Sequence, residues 1–297
     1  GKNPNSRVIA LRADMDALPI QETNDVSYKS KNKGVMHACG HDVHTSSVLG
    51  VAKILNDLKD EFEGTIKIVF QPGEELLPGG ASLMLKENAL KKPDAELIIG
   101  QHVYPQLPSG KVGFRKGMYM ASADELYVTV KGQGGHAALP HQGVDPILIA
   151  SHIVVALQSI VSRHNNPTTP CVLSFGRIEG LGVTNIIPDE VKLEGTFRTF
   201  NEEWRAEAKV KMKKMAEGIA DAMGGSCDFI VDDGYPFLVN DEEVTDVCWN
   251  AANEYLGEEN VEALDLRMTS EDFAYYTQVM PSCFYRLGIT KPIEGKE

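Results

Sequence analysis

The sequence predicts an α/β domain interrupted by a small, ferredoxin-like α+β domain. Three observations carry that prediction. Strand and helix patterns alternate over residues 7–100, the style changes after about Lys116, and the first style returns from about Tyr235.

In the first stretch, residues 7–11 (RVIAL) read as a short buried strand running into Arg-Ala-Asp-Met-Asp. Val48, Val51, Leu55 and Leu58 share one stripe of a helix expected over 43–58. Residues 65–70 (TIKIVF) read as a strand that Gln71-Pro72-Gly73 turns into a loop. A helix over 79–90 and a buried strand over 95–100 follow, as in a sheet covered on both faces.

The middle stretch reads differently. Leu126, Val128 and Val130 alternate as in a half-exposed strand, and a long helix follows over 145–163 with Ile149, Ile153, Ala156, Leu157 and Ile160 on its face. Strands over 171–178 and 190–199, a helix over 203–223 and a strand over 226–232 complete a β-α-β-β-α-β order, the split βαβ arrangement. Beyond it come a helix over 242–256, a helix start at the Thr-Ser-Glu-Asp run from Thr269, and a strand over 284–287. The expected domains are therefore 1–116 and 234–297 for the α/β part and 117–233 for the insertion.

The chain has 297 residues, enough for one large core or two smaller ones. A formal charge of -13 argues against nucleic acid or an anionic membrane as the main partner. The five cysteines are scattered and lack Cys-x-x-Cys spacing, which argues against a disulfide framework and favours a reducing, cytoplasmic setting. No signal peptide and no continuous apolar run of membrane-spanning length stands out, so no membrane partner is expected. Gly1 opens on the lead-in to a strand, and a fragment of a longer polypeptide is the expectation.

Polar groups cluster where strands are expected to end, the usual place for sites in open α/β sheets. They are Asp14-Met15-Asp16, then Ala38-Cys39-Gly40-His41-Asp42-Val43-His44, then Glu74-Glu75 after Phe-Gln-Pro-Gly, and His102 two residues past Gly100. Each has a plain reading: Cys39 as a small buried hydrophobe, His44 as a capping or hydrogen-bonding residue, the glutamates as solvated charges. Together, sulfur, imidazole and carboxylate suit Zn²⁺, with Mn²⁺, Co²⁺ or Ni²⁺ as alternatives. Cys39 could instead be a nucleophile paired with a histidine. In a metal site, one glutamate of the pair would bind while the other moves a proton, and Asp16 would hold a ligand histidine by its second nitrogen.

The motifs RADMDALPI, MHACGHDVHT, FQPGEE, GGHAALPH, TNIIPD, GTFRTF and SEDFAYY resemble, in order and over nearly the whole chain, the M20 metallopeptidases. They are most similar to subfamily D, which holds aminoacylases, N-acyl-amino-acid amidohydrolases, thermostable carboxypeptidases and auxin-conjugate hydrolases. The resemblance implies a two-metal hydrolase that cleaves the amide of an N-acyl amino acid through a metal-activated water. It implies Cys39, His41, Glu75 and His102 as metal ligands, Glu74 as general base and Asp16 as the group orienting the site. Asp14 falls where other branches carry a metal-binding His.

In the inserted domain the resemblance implies His136 as an oxyanion donor, Asn185 and Arg198 as substrate-binding residues, and a homodimer formed through this domain, which also acts as a lid. The family's last metal-binding His would lie past the 284–287 strand, and no His follows His164. Two other readings stay open. One is a dipeptidase or carboxypeptidase using the same chemistry; the other is a non-catalytic metal- or ligand-binding protein with a decayed site.

Overall fold

The computed structural model describes residues 1–291, which fold as two compact units. The first comprises 1–119, 238–267 and the chain from Glu271; the second comprises 120–237 with 268–270. The last residues of the 234–297 segment lie outside the described residues.

The chain begins with β1 (Val8–Asp14), α1 (His41–Asp57), β2 (Thr65–Gln71), α2 (Gly80–Lys86), β3 (Leu97–Pro108), β4 (Val112–Phe114) and β5 (Gly117–Met120). The second unit follows with β6 (Asp124–Lys131), β7 (Gly135–His136), α3 (Pro146–Ser159), β8 (Cys171–Glu179), β9 (Ile186–Ile187), β10 (Glu190–Thr199), α4 (Glu202–Ala222) and β11 (Ser226–Asp233). The first unit then resumes with β12 (Leu238–Asn240), α5 (Glu242–Leu256), β13 (Val261–Ala263), α6 (Ala274–Thr277) and β14 (Ser282–Thr290).

The first unit is built on a six-stranded sheet ordered β13-β4-β14-β3-β1-β2. Its central strands run parallel, and β4 meets β14 antiparallel, so the sheet is mixed rather than wholly parallel. The strand expected to stop at Gly100 continues to Pro108. Its pairing explains why: β1 accompanies β3 only from Leu97 to Gly100, whereas β14 stays beside it from Ile98 onward. His102 is therefore inside a strand, at the point where β3 runs on past its β1 neighbour.

Two helices also differ from expectation. The second ends at Lys86 rather than near Leu90, and Asn88 beyond it takes a left-handed φ of 61°. No helix starts at Thr269; α6 begins only at Ala274. The two acidic residues before it are engaged by Arg12, as described below. Six short strands, β4, β5, β7, β9, β12 and β13, have too few residues to show a period in sequence.

The second unit has the β-α-β-β-α-β order, with an antiparallel sheet ordered β11-β6-β10-β8. The inward residues Leu126, Val128, Val191, Leu193 and Phe197 pack with Ile149, Ile153 and Leu157 of α3 and Ala208 and Met212 of α4. The helical stretch Pro146–His164, ending in a π turn from Ile160, is long and apolar enough to cross a membrane by composition. Its Ile149, Ile153, Leu157 and Ile160 are buried in this core instead, which accounts for its hydropathy.

Candidate metal centre

In the first unit, β1, the start of α1, the loop after β2 and the middle of β3 bring Cys39, His41, Glu74, Glu75 and His102 together. Gly40 makes this approach possible. It caps α1 with φ 82°, and a Cβ there would lie 2.5 Å from Val103 Cγ2 of β3. Only glycine lets the helix start so close to the strand, and Cys39 and His41 flank it.

Hydrogen bonds fix which nitrogen each histidine offers. His41 Nδ1 faces two acceptors, the Asp16 carbonyl at 3.0 Å and its Oδ1 at 3.2 Å, so Nδ1 carries the proton. His41 Nε2 is left as a lone pair, buried and without a hydrogen-bond partner. His102 Nδ1 donates to the Val103 carbonyl at 2.8 Å, which turns its Nε2 lone pair toward Cys39 Sγ at 3.4 Å. Cys39 Sγ and the two imidazoles thus present ligand atoms within 4.8 Å of one another, and His41, Glu74 and Glu75 form a second such group. Buried lone pairs converging on a thiol and two carboxylates fit divalent cations that accept nitrogen, sulfur and oxygen ligands.

Asp16 is hydrogen-bonded to the His41 ring at Nδ1. Besides holding His41, its Oδ2 accepts the Glu75 N–H at 2.9 Å, so one carboxylate orients two of the candidate residues. Glu75 is partly exposed, whereas Glu74 is 7% exposed and accepts the Asp272 N–H at 3.4 Å. Burial, then Glu271 and Asp272, push the Glu74 carboxyl up to about 10 in the metal-free protein.

Electrostatics also weigh on the two readings of Cys39. Burial first, then Glu75, raise its thiol far above the ordinary range. Burial and the Arg286 charge lower His102 to about 3. A neutral thiol beside a neutral imidazole is a poor nucleophile, and as a ligand pair it needs only the thiol to lose its proton when a cation binds.

Beneath this cluster lies a charge network that the sequence reading did not assign. Arg12 is 1% exposed and donates to Gln71 Oε1 at 3.0 Å, Asp14 Oδ2 at 2.6 Å, Glu271 Oε1 at 3.0 Å and Asp272 Oδ1 at 2.8 Å. Asp272 also takes the Gln71 amide at 2.8 Å and the Ala81 N–H at 2.9 Å, which ties down the loop carrying Glu74 and Glu75. One guanidinium faces three carboxylates with Glu74 nearby, so burial and mutual repulsion raise Glu271 to about 8. Bound dications would favour the ionised form of these crowded carboxyl groups. The sequence did contain a signal: Arg12 interrupts the apolar run of a buried strand, where an unpaired charge is costly.

The sequence profile of Peptidase family M20/M25/M40 matches residues 10–296. The chain belongs to that family. It is 42% identical over 282 residues to an N-acetyl-L-cysteine deacetylase of Bacillus subtilis, covering 94% of this chain and 66% of that one. It is 44% identical over 243 residues to an N-acyl-L-amino acid amidohydrolase of Geobacillus stearothermophilus, covering 82% of this chain and 65% of that one. A solved dinuclear metal-binding peptidase of Bacillus subtilis superposes with a TM-score of 0.79 at 34% identity, over 99% of this chain and 74% of that one. The M20 chain thus spans about two-thirds of the length of the first two curated relatives.

The remaining sequence-predicted residues of the M20 chain, His136, Asn185 and Arg198, lie in the second unit. His136 is exposed on β7, and its Nδ1 accepts the Ala138 N–H at 3.1 Å. The Asn185 carbonyl accepts the Ala137 N–H at 2.9 Å, so these two neighbour each other across the β7–β9 ribbon. Arg198 of β10 is half-buried and donates to the Met268 carbonyl at 2.9 Å.

Proposed function

We propose that this chain carries the metal-binding and hydrolytic machinery of an amidohydrolase that cleaves N-acyl amino acids. The observation that supports it most directly is the meeting of Cys39 Sγ with the unprotonated Nε2 atoms of His41 and His102 beside Glu74 and Glu75. Cys39, His41, Glu75 and His102 would hold two divalent ions, with Zn²⁺ the best match to the donors and Mn²⁺, Co²⁺ or Ni²⁺ the alternatives. Bound there, the ions would supply Lewis-acid polarisation of the amide carbonyl and lower the pKa of an attacking water.

The chain's own residues do the rest. Asp16 keeps His41 in the tautomer that offers Nε2 outward. With dications bound, the buried Glu74 carboxyl would be drawn to its ionised form; as a carboxylate, less exposed than Glu75, it would accept the proton from water and return it to the nitrogen of the leaving amino acid as the C–N bond breaks. The products are the acyl carboxylic acid and the free amine. A homodimer through the second unit belongs to the same proposal, supported by Val155 of α3 and Ile178 of β8, which are 73% and 59% exposed. Light scattering tests it.

The function is tested by elemental analysis of the chain together with hydrolysis of N-acetyl-methionine and of a free dipeptide, before and after chelation. About two ions per chain, chelator-sensitive deacylation and little dipeptide cleavage are expected. Preferential dipeptide cleavage would replace the deacylase by a peptidase. A chain that binds no metal and turns over neither substrate would move the non-catalytic binding reading to the front.

A further inference from the structure

His44 lies within the same cluster of metal-seeking groups, and its ring is 4.6 Å from that of His102 and 5.4 Å from that of His41. With Asp14 and His41 it forms a third set of closely spaced potential ligand atoms. Its two nitrogens are nevertheless both committed. The Val103 N–H donates to His44 Nε2 at 2.9 Å, so Nε2 is an acceptor and Nδ1 carries the proton. Nδ1 donates in turn to Asp14 Oδ1 at 2.5 Å, and the other Asp14 oxygen accepts from Arg12 at 2.6 Å.

These bonds form one continuous line. Arg12 anchors Asp14, Asp14 fixes the His44 tautomer, and His44 holds the Val103 amide. The carbonyl of Val103 accepts from His102 Nδ1, so the same residue is held at its N–H and sets the His102 ring through its C=O. Every member is buried apart from partly buried His102, and His44 and Asp14 are fully buried. We propose that His44 is a positioning residue, not a ligand: with Asp14 and Arg12 it fixes β3 at Val103 so that His102 Nε2 meets the metal beside Cys39. This inference rests on the metal site proposed above and deepens it.

A positioning role and a ligand role differ in what a substitution removes. Gln at position 44 can accept the Val103 N–H with its oxygen and donate to Asp14 with its nitrogen, the same pattern as the His44 tautomer. Ala can do neither. The test is titration of the metal-free chain with Co²⁺ alone, following stoichiometry and the thiolate-to-cobalt absorption band, with circular dichroism and melting temperature as checks on folding. His44→Ala is expected to keep the wild-type number of ions and the thiolate band while the affinity falls about 10–100-fold, the usual cost of losing an outer hydrogen-bond partner. His44→Gln is expected to recover most of that loss.

Loss of one ion in both variants would make His44 a ligand and overturn the inference. Folded variants that bind Co²⁺ as tightly as wild type would overturn it as well, leaving the metal site intact. An unsubstituted chain that takes up no Co²⁺ would remove the metal site and the inference together, an outcome distinct from the other two because it needs no variant.

Discussion

The two units bury different things. In the second, the core between sheet and helices is a continuous apolar layer, and its buried charges are confined to Asp124 and Arg205. That pair is bidentate, with Arg205 Nε and Nη2 at 2.8 and 2.6 Å from the carboxylate, so it is locally balanced. In the first unit, Arg12, Asp14, His41, His44, Glu74, Glu271 and Asp272 are all buried in one region. There more carboxyl groups crowd together than Arg12 can pair, and Glu74 and Glu271 are pushed toward holding their protons. A core that serves only stability has no reason to gather so many ionisable groups, so the contrast marks the region that the proposed function uses.

The sharpest way to break the comparison is Arg12→Met. Removing the guanidinium takes away the shared donor of Asp14, Glu271 and Asp272 in a buried site, and a loss of about 3–5 kcal/mol is expected in urea unfolding of the metal-free chain. Phe197→Ala in the second unit should cost a similar ~3–5 kcal/mol through the cavity it leaves. The two should then part company: metal restores stability to Arg12→Met far more than to Phe197→Ala, because only the first deficit is one of charge.

Next in size is Glu74→Gln. Turnover of an N-acyl amino acid is expected to fall about 10²–10⁴-fold with metal content unchanged, as for loss of a general base. Equal turnover by the variant would move the proton-transfer role elsewhere.

The pH dependence sharpens the same contrast more gently. Glu271 is raised, by burial first, to about 8 in the folded chain, whereas in the unfolded chain it has an ordinary carboxylate value. The folded state therefore holds the proton more tightly, so this contribution to stability is present in acid and is lost as pH rises toward and through about 8. Melting of the metal-free chain should show that decline, and Glu271→Gln should flatten it. The smallest effect belongs to the exposed pair Lys131–Asp228 on the second unit. Lys131→Ala should leave both melting and metal uptake unchanged within error.

Much of this was legible in the sequence, for reasons that differ by region. The second unit announced itself because alternating residues such as Leu126, Val128 and Val130 and long amphipathic helices carry a clear period. The ligand candidates were legible because Cys39, His41 and Glu74-Glu75 fall in short motifs beside predicted strand ends. His102 was found as a candidate but misplaced, since the length of β3 depends on which neighbours accompany it and not on its own residues. Arg12, Glu271 and Asp272 went unassigned because Arg12 is 259 and 260 residues from the other two, and only the fold brings them within hydrogen-bonding distance. His44 was correctly open to a hydrogen-bonding role, but no local pattern could reveal that Val103 is its partner.

The proposed function makes Cys39 a metal ligand in a site that His41 and His102 share. It is tested most directly by adding Co²⁺ to the metal-free chain and to Cys39→Ser and recording the absorption spectra. About two ions bound by the unsubstituted chain are expected, with an intense thiolate-to-cobalt band that is absent from Cys39→Ser. A band that persists unchanged in Cys39→Ser, or cobalt uptake with no such band in the unsubstituted chain, would contradict it.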